Sequence, residues 1–298
     1  MKFVSYNIQY GYGQDDRYDL ARTVDAIADA DVIALQEVER HWDRTDNDDQ
    51  PALIAAMLPE HHWVYGPAFD MDASFRDDNG KLTNQRRQFG TMILSRLPIV
   101  WSRLHCLPMW RVTNPLNTQN PALEAMIRTP WGPVRIFSLH LSHISVEERM
   151  AQIDWLMARE ARVPFEGASW CGTDDEPERH WTHAESEPEN PVAAILMGDF
   201  NSVAQGAEYH RIVGAPQQTY APGATHYAGR FVDAWVVAGH DPGEGITRDQ
   251  RIDYCFVEGS IAHCVRRAWI DNDTPASDHH PVWTEIDLDA PTLENQQC

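Results

Sequence analysis

Positive charge is what this 298-residue sequence has least of: 24 Lys and Arg stand against 45 Asp and Glu, a formal net charge of −21. Non-specific nucleic-acid binding works by neutralising phosphates with cationic side chains, so this balance disfavours long nucleic acid as a partner. Cysteine is scarce as well. The five (106, 171, 255, 264 and 298) are odd in number and form no Cys-x-x-Cys pair. That argues against a zinc site or a disulfide framework, and for free thiols in a reducing compartment. No 18-residue apolar run is present and no basic, apolar leader precedes the first strand, so no membrane span and a cytoplasmic location are expected. Gly11-x-Gly13 lacks the third glycine of a dinucleotide-binding loop. A hydrophobic content of 43%, with 11 Trp, suffices for one large core. Nothing in the sequence sets an oligomeric state.

What is present is a series of short apolar runs, several ending on a polar side chain. Phe3 to Ile8 alternates as a strand and carries Asn7 near its end. Leu20 to Ala30 shows one helical face through Leu20, Val24, Ile27 and Ala28. Val32 to Leu35 reads as a buried strand running into Glu37, where a carboxylate is costly unless paired or coordinated, or else lies exposed at the strand end. A short helix is expected from Pro51 to Leu58 and a strand at Trp63 to Tyr65. Residues 70–88 read as a long polar loop holding Arg86-Arg87, suited to clamping a phosphate or to a solvated turn. Thr91 to Leu94 and Ile99 to Leu104 read as one hairpin, and Ala122 to Arg128 with Val134 to Leu139 as a second. His140 ends the latter, an ordinary place for a hydrogen-bonded structural histidine, with His143 at the rim. Val146 to Arg162 is an amphipathic helix. Seven acids and one arginine between Asp174 and Glu189 mark residues 164–191 as a loop insertion.

The central stretch is Ile195-Leu196-Met197-Gly198-Asp199-Phe200-Asn201, a buried strand expected to stop at Gly198. Asp199 and Asn201 then offer a proton acceptor and a neutral donor on one side of an extended chain, or an Asx-rich turn. Gln205 to Val213 looks helical. Asp253 stands at the start of a buried strand, with Arg251 as a candidate structural partner. Asp278-His279-His280-Pro281 precedes the last strand, and an Asp beside a His there serves metal ligation or an imidazolium aimed at a phosphate.

In this order, Ser-Tyr-Asn7-Ile, Leu-Gln-Glu37-Val, Ser-Leu-His140-Leu, Gly-Asp199-Phe-Asn201, Arg-Ile-Asp253-Tyr and Ser-Asp278-His279-His-Pro resemble the endonuclease/exonuclease/phosphatase superfamily, over roughly Lys2 to Ile286. The resemblance implies an α/β (α+β) four-layer sandwich, two mostly antiparallel sheets face to face with helices outside. One domain would span residues 1–290, with a frayed tail at 291–298. It implies Glu37 as the main ligand of Mg²⁺, or of Mn²⁺, with Asn7 beside it and Asp278 completing the site. Asp199 would deprotonate the attacking water and Asn201 hold it. His279, oriented by Asp253, would stabilise the transition state, with His140 as a second donor. His280 is passed over because the motif places the catalytic His directly after Asp. There are two departures. Gln9 stands where some family nucleases carry an acid, and Phe89-Gly90-Thr91-Met92-Ile93 puts Thr91 where many members have a phosphate-facing Asn.

The activity expected is Mg²⁺-dependent hydrolysis of a small or lipid-derived phosphoester, as a phosphodiesterase or phosphatase, with Arg86 and Arg87 binding substrate. A nuclease is the alternative, and a phosphate-ligand binding module without turnover is the third reading; the fold does not choose among them.

Overall fold

The central strands of this protein are apolar at nearly every position because both of their faces are covered, while most edge strands are half exposed. The computed structural model describes residues 1–179, 181–183, 185–218, 225–227 and 229–289. The strands that build the sheets are β1 (Lys2–Asn7), β2 (Val32–Arg40), β3 (His62–Asp72), β4 (Arg86–Ser95), β5 (Ile99–Cys106) and β6 (Pro121–Arg128), then β7 (Pro133–His140), β8 (Ala194–Asp199), β9 (Phe231–Asp233), β10 (Asp253–Glu258), β11 (Val265–Ile270) and β12 (Val282–Ile286). One six-stranded sheet has the order β11-β12-β1-β2-β4-β3, the other β9-β10-β8-β7-β6-β5. Each contains one parallel pair, β1 with β2 and β7 with β8, among antiparallel neighbours.

Side-chain alternation separates the layers. Phe3, Val32, Ala34 and Ile93 of the first sheet meet Ile136, Ile195, Met197 and Val257 of the second in a central layer. On the outer face of the first sheet, Val4, Tyr6, Ile33 and Leu35 pack on helices α1 (Leu20–Asp25) and α2 (Gln50–Met57). On the outer face of the second, Phe137, Leu196 and Phe256 pack on α3 (Val146–Arg162) and α4 (Ala207–Val213). The four-layer sandwich is the expected one. α1 is shorter than its sequence pattern, and turns carry the chain on to the buried Ile27 and Ala30.

Two expectations are corrected. Thr91 to Leu104 is not a hairpin: β4 already has β2 and β3 on its two edges, so Ser95 to Pro98 carries the chain across to the other sheet, where β5 pairs with β6. Residues 70–88 are not a loop either. β3 and β4 pair out to Asp72 opposite Arg86, and Phe75–Arg76 pairs with Leu82–Thr83 at the tip. The β6–β7 hairpin forms as expected.

The acidic segment after α3 docks on the edge of the second sheet. Ala168 packs against Trp101 and Met126, and the Trp101 indole donates to the Glu189 carbonyl at 2.9 Å. Nearby, the fully buried Arg135 on β7 makes a two-pronged ion pair with Glu160 of α3 (2.7 and 2.6 Å) and another with Glu124 of β6 at 3.0 Å. Cys106, Cys171, Cys255 and Cys264 are free thiols. Among the described residues no helix is long and apolar enough to cross a membrane. The tail at 291–298 lies outside the described residues.

Candidate active site

Three buried polar residues fasten the two sheets together beneath the site. Gln36 Nε2 donates to Ser138 Oγ at 3.0 Å, Ser138 Oγ donates to the Leu35 carbonyl at 2.9 Å, and Thr91 Oγ1 donates to the Ser138 carbonyl at 3.5 Å. Thr91 is therefore spent on the inter-sheet seam and does not face a phosphate; Phe89, two residues earlier, lines the cleft instead.

Above that seam the strand ends converge. Asn7 closes β1, and its amide donates to Glu37 Oε1 at 3.0 Å and to Asp199 Oδ2 at 3.1 Å, linking the sheets through one side chain. Glu37 owes its position to a β-bulge. Gln36 faces the central layer and Val38 the outer one, with a register shift between them against β4, and Glu37 is the extra residue at φ +61°. The bulge turns a side chain that a regular strand would aim at the outer helices toward the cleft, and the left-handed backbone of a Glu is the sort of strain that functional sites hold.

β8 continues one residue further than its sequence suggests, through Gly198 to Asp199. A Cβ on Gly198 would lie 2.0 Å from the Leu139 carbonyl oxygen, so only glycine lets β7 and β8 approach here. The chain turns at Asn201 (φ +48°) and is not extended there. The Asx turn forms, at the mouth of the cleft: Asp199 Oδ1 accepts from the Asn201 N–H at 2.8 Å, while Asn201 Nδ2 donates to the Leu141 carbonyl at 2.9 Å. Register places His140 beside Asp199 on one side and Asp253 on the other. His140 Nε2 is 3.7 Å from Asp199 Oδ2 and 4.0 Å from Glu37 Oε1. His279 Nδ1 is 2.9 Å from Asp253 Oδ2, and its Nε2 is 3.8 Å from Asp199 Oδ2. Ser277 holds this last loop in place, donating to the Asn7 carbonyl at 2.8 Å and accepting from the His279 N–H at 3.2 Å. Arg251 does not compete for Asp253; it pairs with the buried Asp233 at 2.8 Å.

The electrostatics divide the labour. Burial alone would lower the pKa of His279, but the Asp253 carboxylate, helped by Asp199 and Asp278, outweighs it and raises the group to about 10. His279 is an imidazolium at neutral pH. Burial and the Asp253 charge push Asp199 above the ordinary carboxylate range, while His140 and His279 pull it back.

The cleft, about 310 Å³, gathers Glu37, His140, Asp199, Asn201, Asp278 and His279, with His143 at its wall. It also contains Gln9 and Phe89, from the two stretches that depart from the motifs, and Tyr10, Thr118, Asn120 and Arg248, which no motif marks. Arg86 and Arg87 are not among its lining residues. Arg86 Nε is 2.9 Å from Asp70 Oδ1, and Arg87 donates to the His41 carbonyl at 3.4 Å and stacks over Trp42. Both belong to the β3–β4 hairpin, and its strand pairing places Arg87 beside a different hollow.

Ligand atoms of Asp199, Asp253 and His279 lie within 4.8 Å of one another. However, the 2.9 Å contact between Asp253 and His279 is a hydrogen bond that leaves no room for an ion between them. Glu37 and Asp278 both present carboxylate oxygens to the cleft, the hard donor type that Mg²⁺ and Mn²⁺ prefer.

Solved structures share the fold of this chain at low sequence identity. An endonuclease/exonuclease/phosphatase from Beutenbergia cavernae DSM 12333 is 19% identical with a TM-score of 0.61, covering 96% of this chain and 71% of its own. A mannosyl-6-phosphatase from Bacteroides thetaiotaomicron VPI-5482 is 16% identical with a TM-score of 0.57, over 96% and 99% of the two chains. A truncated TDP2 from Caenorhabditis elegans is 17% identical with a TM-score of 0.55, over 96% of each. No curated protein matches significantly in sequence. Residues 4–279 match the Endonuclease/Exonuclease/phosphatase family, and the chain belongs to that family of phosphoester hydrolases.

Proposed function

We propose that the protein hydrolyses small phosphoesters by in-line attack of a water on phosphorus, using Mg²⁺ held by Glu37 with Asn7 and Asp278 alongside. The observation that carries this reading is the placement of Asp199. It is a buried carboxylate joined to Glu37 through Asn7 and facing two imidazoles, one of which Asp253 keeps protonated. Asp199 Oδ2 takes the proton of the attacking water, and its raised pKa brings it nearer to the working range of a general base. Asn201, at the turn after Asp199, orients that water. His279 keeps its Nδ1 proton on Asp253 and presents Nε2–H to the phosphoryl oxygens, where negative charge builds up, and His140 supplies a second donor. Bound Mg²⁺ contributes charge neutralisation at the phosphate and polarisation of the P–O bond.

The cleft volume and the charge support a small substrate. A surface at −21 repels a long polyanion, whereas a small ester presents little charge beyond the ~8–10 Å over which salt screens it. The test compares p-nitrophenyl phosphate, bis-p-nitrophenyl phosphate, single-stranded DNA and supercoiled plasmid at matched phosphate concentration, with Mg²⁺ and with chelator. Turnover of a small ester that Mg²⁺ restores and Glu37→Gln abolishes is expected. Salt-sensitive plasmid nicking with little ester hydrolysis would establish the nuclease instead, and tight phosphate binding without turnover a binding module.

A further inference from the structure

We infer that Arg248 is a displaceable partner of Asp278 that turns to the substrate's phosphate once the cation is bound, and that it favours phosphomonoesters over diesters. The inference rests on the metal-dependent hydrolase reading above. Among the described residues lining the cleft, Arg248 is the one guanidinium or ammonium, sharing it with the carboxylates of Glu37, Asp199 and Asp278. Its Nη2 stands 3.0 Å from Asp278 Oδ2, in a pair whose side chains are 48% and 29% exposed. Wet ion pairs of this kind are weak and cheap to exchange. Arg251, three residues on, is the contrast, locked to Asp233 with its side chain 3% exposed.

The backbone under Arg248 is fixed although its side chain is not. The buried Thr247 accepts the N–H groups of Ile252 and Asp253 on its hydroxyl at 3.1 and 3.2 Å, and the His280 N–H on its carbonyl at 2.6 Å. Arg248 is thus carried on a staple between the segments that bear Asp253 and His279. A divalent cation claiming Asp278 releases the guanidinium at the place where a phosphate must sit. Its planar fork matches two phosphoryl oxygens at once. A monoester carries three non-bridging oxygens and more negative charge than a diester with two, so it would offer the fork more acceptor sites beside those that the cation and the imidazoles would take.

The experiment uses the full chain as wild type, Arg248→Ala, Arg248→Lys and Glu37→Gln. Mn²⁺ binding is measured without substrate, by calorimetry or by electron paramagnetic resonance. KM and kcat are measured for p-nitrophenyl phosphate and its bis ester. Arg248→Ala should bind Mn²⁺ roughly two- to fivefold more tightly, because a competing partner of Asp278 is gone. Its KM for the monoester should rise on the order of tenfold, and that for the diester much less. Arg248→Lys should return Mn²⁺ affinity toward wild type without restoring monoester KM. Opposite signs for metal and substrate are the signature, since a loop that had merely collapsed would weaken both. Unchanged or weakened Mn²⁺ binding together with an unchanged ratio of KM values overturns the role of Arg248. Wild type that binds no Mn²⁺, or Glu37→Gln that binds it equally well, overturns the metal reading itself.

Discussion

Replacing Asp199 by Asn isolates proton transfer from everything else the side chain does. The carboxylate is 2% exposed and accepts two hydrogen bonds, from Asn201 N–H on Oδ1 and from Asn7 Nδ2 on Oδ2. An amide offers one oxygen, so in either orientation one of those donors faces an NH₂ group and is left unpaired, which destabilises by about 1–3 kcal/mol. Against this, burial and the Asp253 charge already penalise ionised Asp199, and a neutral side chain relieves that penalty. The two effects oppose, so the fold should persist with a modest shift in unfolding midpoint. Catalysis has no such offset. Removing a positioned general base lowers turnover by about 10²–10⁴-fold, equivalent to roughly 3–5 kcal/mol of barrier. KM for a small ester at saturating Mg²⁺ should move less than about threefold, because the lost interaction forms in the transition state. Steady-state kinetics with p-nitrophenyl phosphate, alongside urea unfolding, separate the terms. A variant with wild-type kcat and a raised KM would refute the reasoning and reduce Asp199 to a substrate ligand.

Asp253→Asn removes the charge that holds His279 at about 10. The active form is the imidazolium, so the alkaline arm of kcat/KM should slide down toward the ordinary value of 6.5, and activity lost at about pH 8 should recover on acidification. In stability, a His whose pKa rises on folding contributes below 6.5 and loses that contribution as pH climbs through about 10; the variant's pH-stability curve should be flatter across that window. Gly198→Ala drives a methyl into the Leu139 backbone, and should cost about 1–3 kcal/mol or more with a fall in kcat, because Asp199 and His140 are pushed apart; wild-type kinetics would show that the strands can yield. Glu160→Gln leaves the buried Arg135 short of charge and should lower stability by about 3–5 kcal/mol in urea, with kcat unchanged; a loss below about 1 kcal/mol would mean that Glu124 alone suffices.

Four side chains of the candidate site were legible because each closes or opens a short apolar strand, and a two-residue alternation locates such an end without any tertiary information. Asn7, Asp199, Asp253 and His140 are all of this kind. Glu37 was legible as a misplaced carboxylate, but its bulge was not, since neither glycine nor asparagine announces the left-handed turn. Sheet membership was hidden for a different reason. Ser95-Arg96-Leu97-Pro98 looks like a hairpin turn locally, and only the occupancy of both β4 edges forbids it. Arg86 and Arg87 carried the right chemistry on an element whose register holds them away from the cleft. Arg248, Thr118 and Asn120 come from irregular loops, where no periodicity ties a residue number to a direction in space.

β12 follows His279 almost directly and inserts between β11 and β1, so the strand that begins the first sheet and the strand that ends it lie side by side. The contact of Ser277 with the Asn7 carbonyl spans 270 residues. Closures of this length come late in folding, because the chain entropy they consume is repaid only after the rest of the sheet exists. Until that strand docks, nothing pins the loop of Asp278 and His279 against the end of β1. On the proposed mechanism, a chain without this closure lacks the His279 donor beside Asp199 and should be hydrolytically impaired.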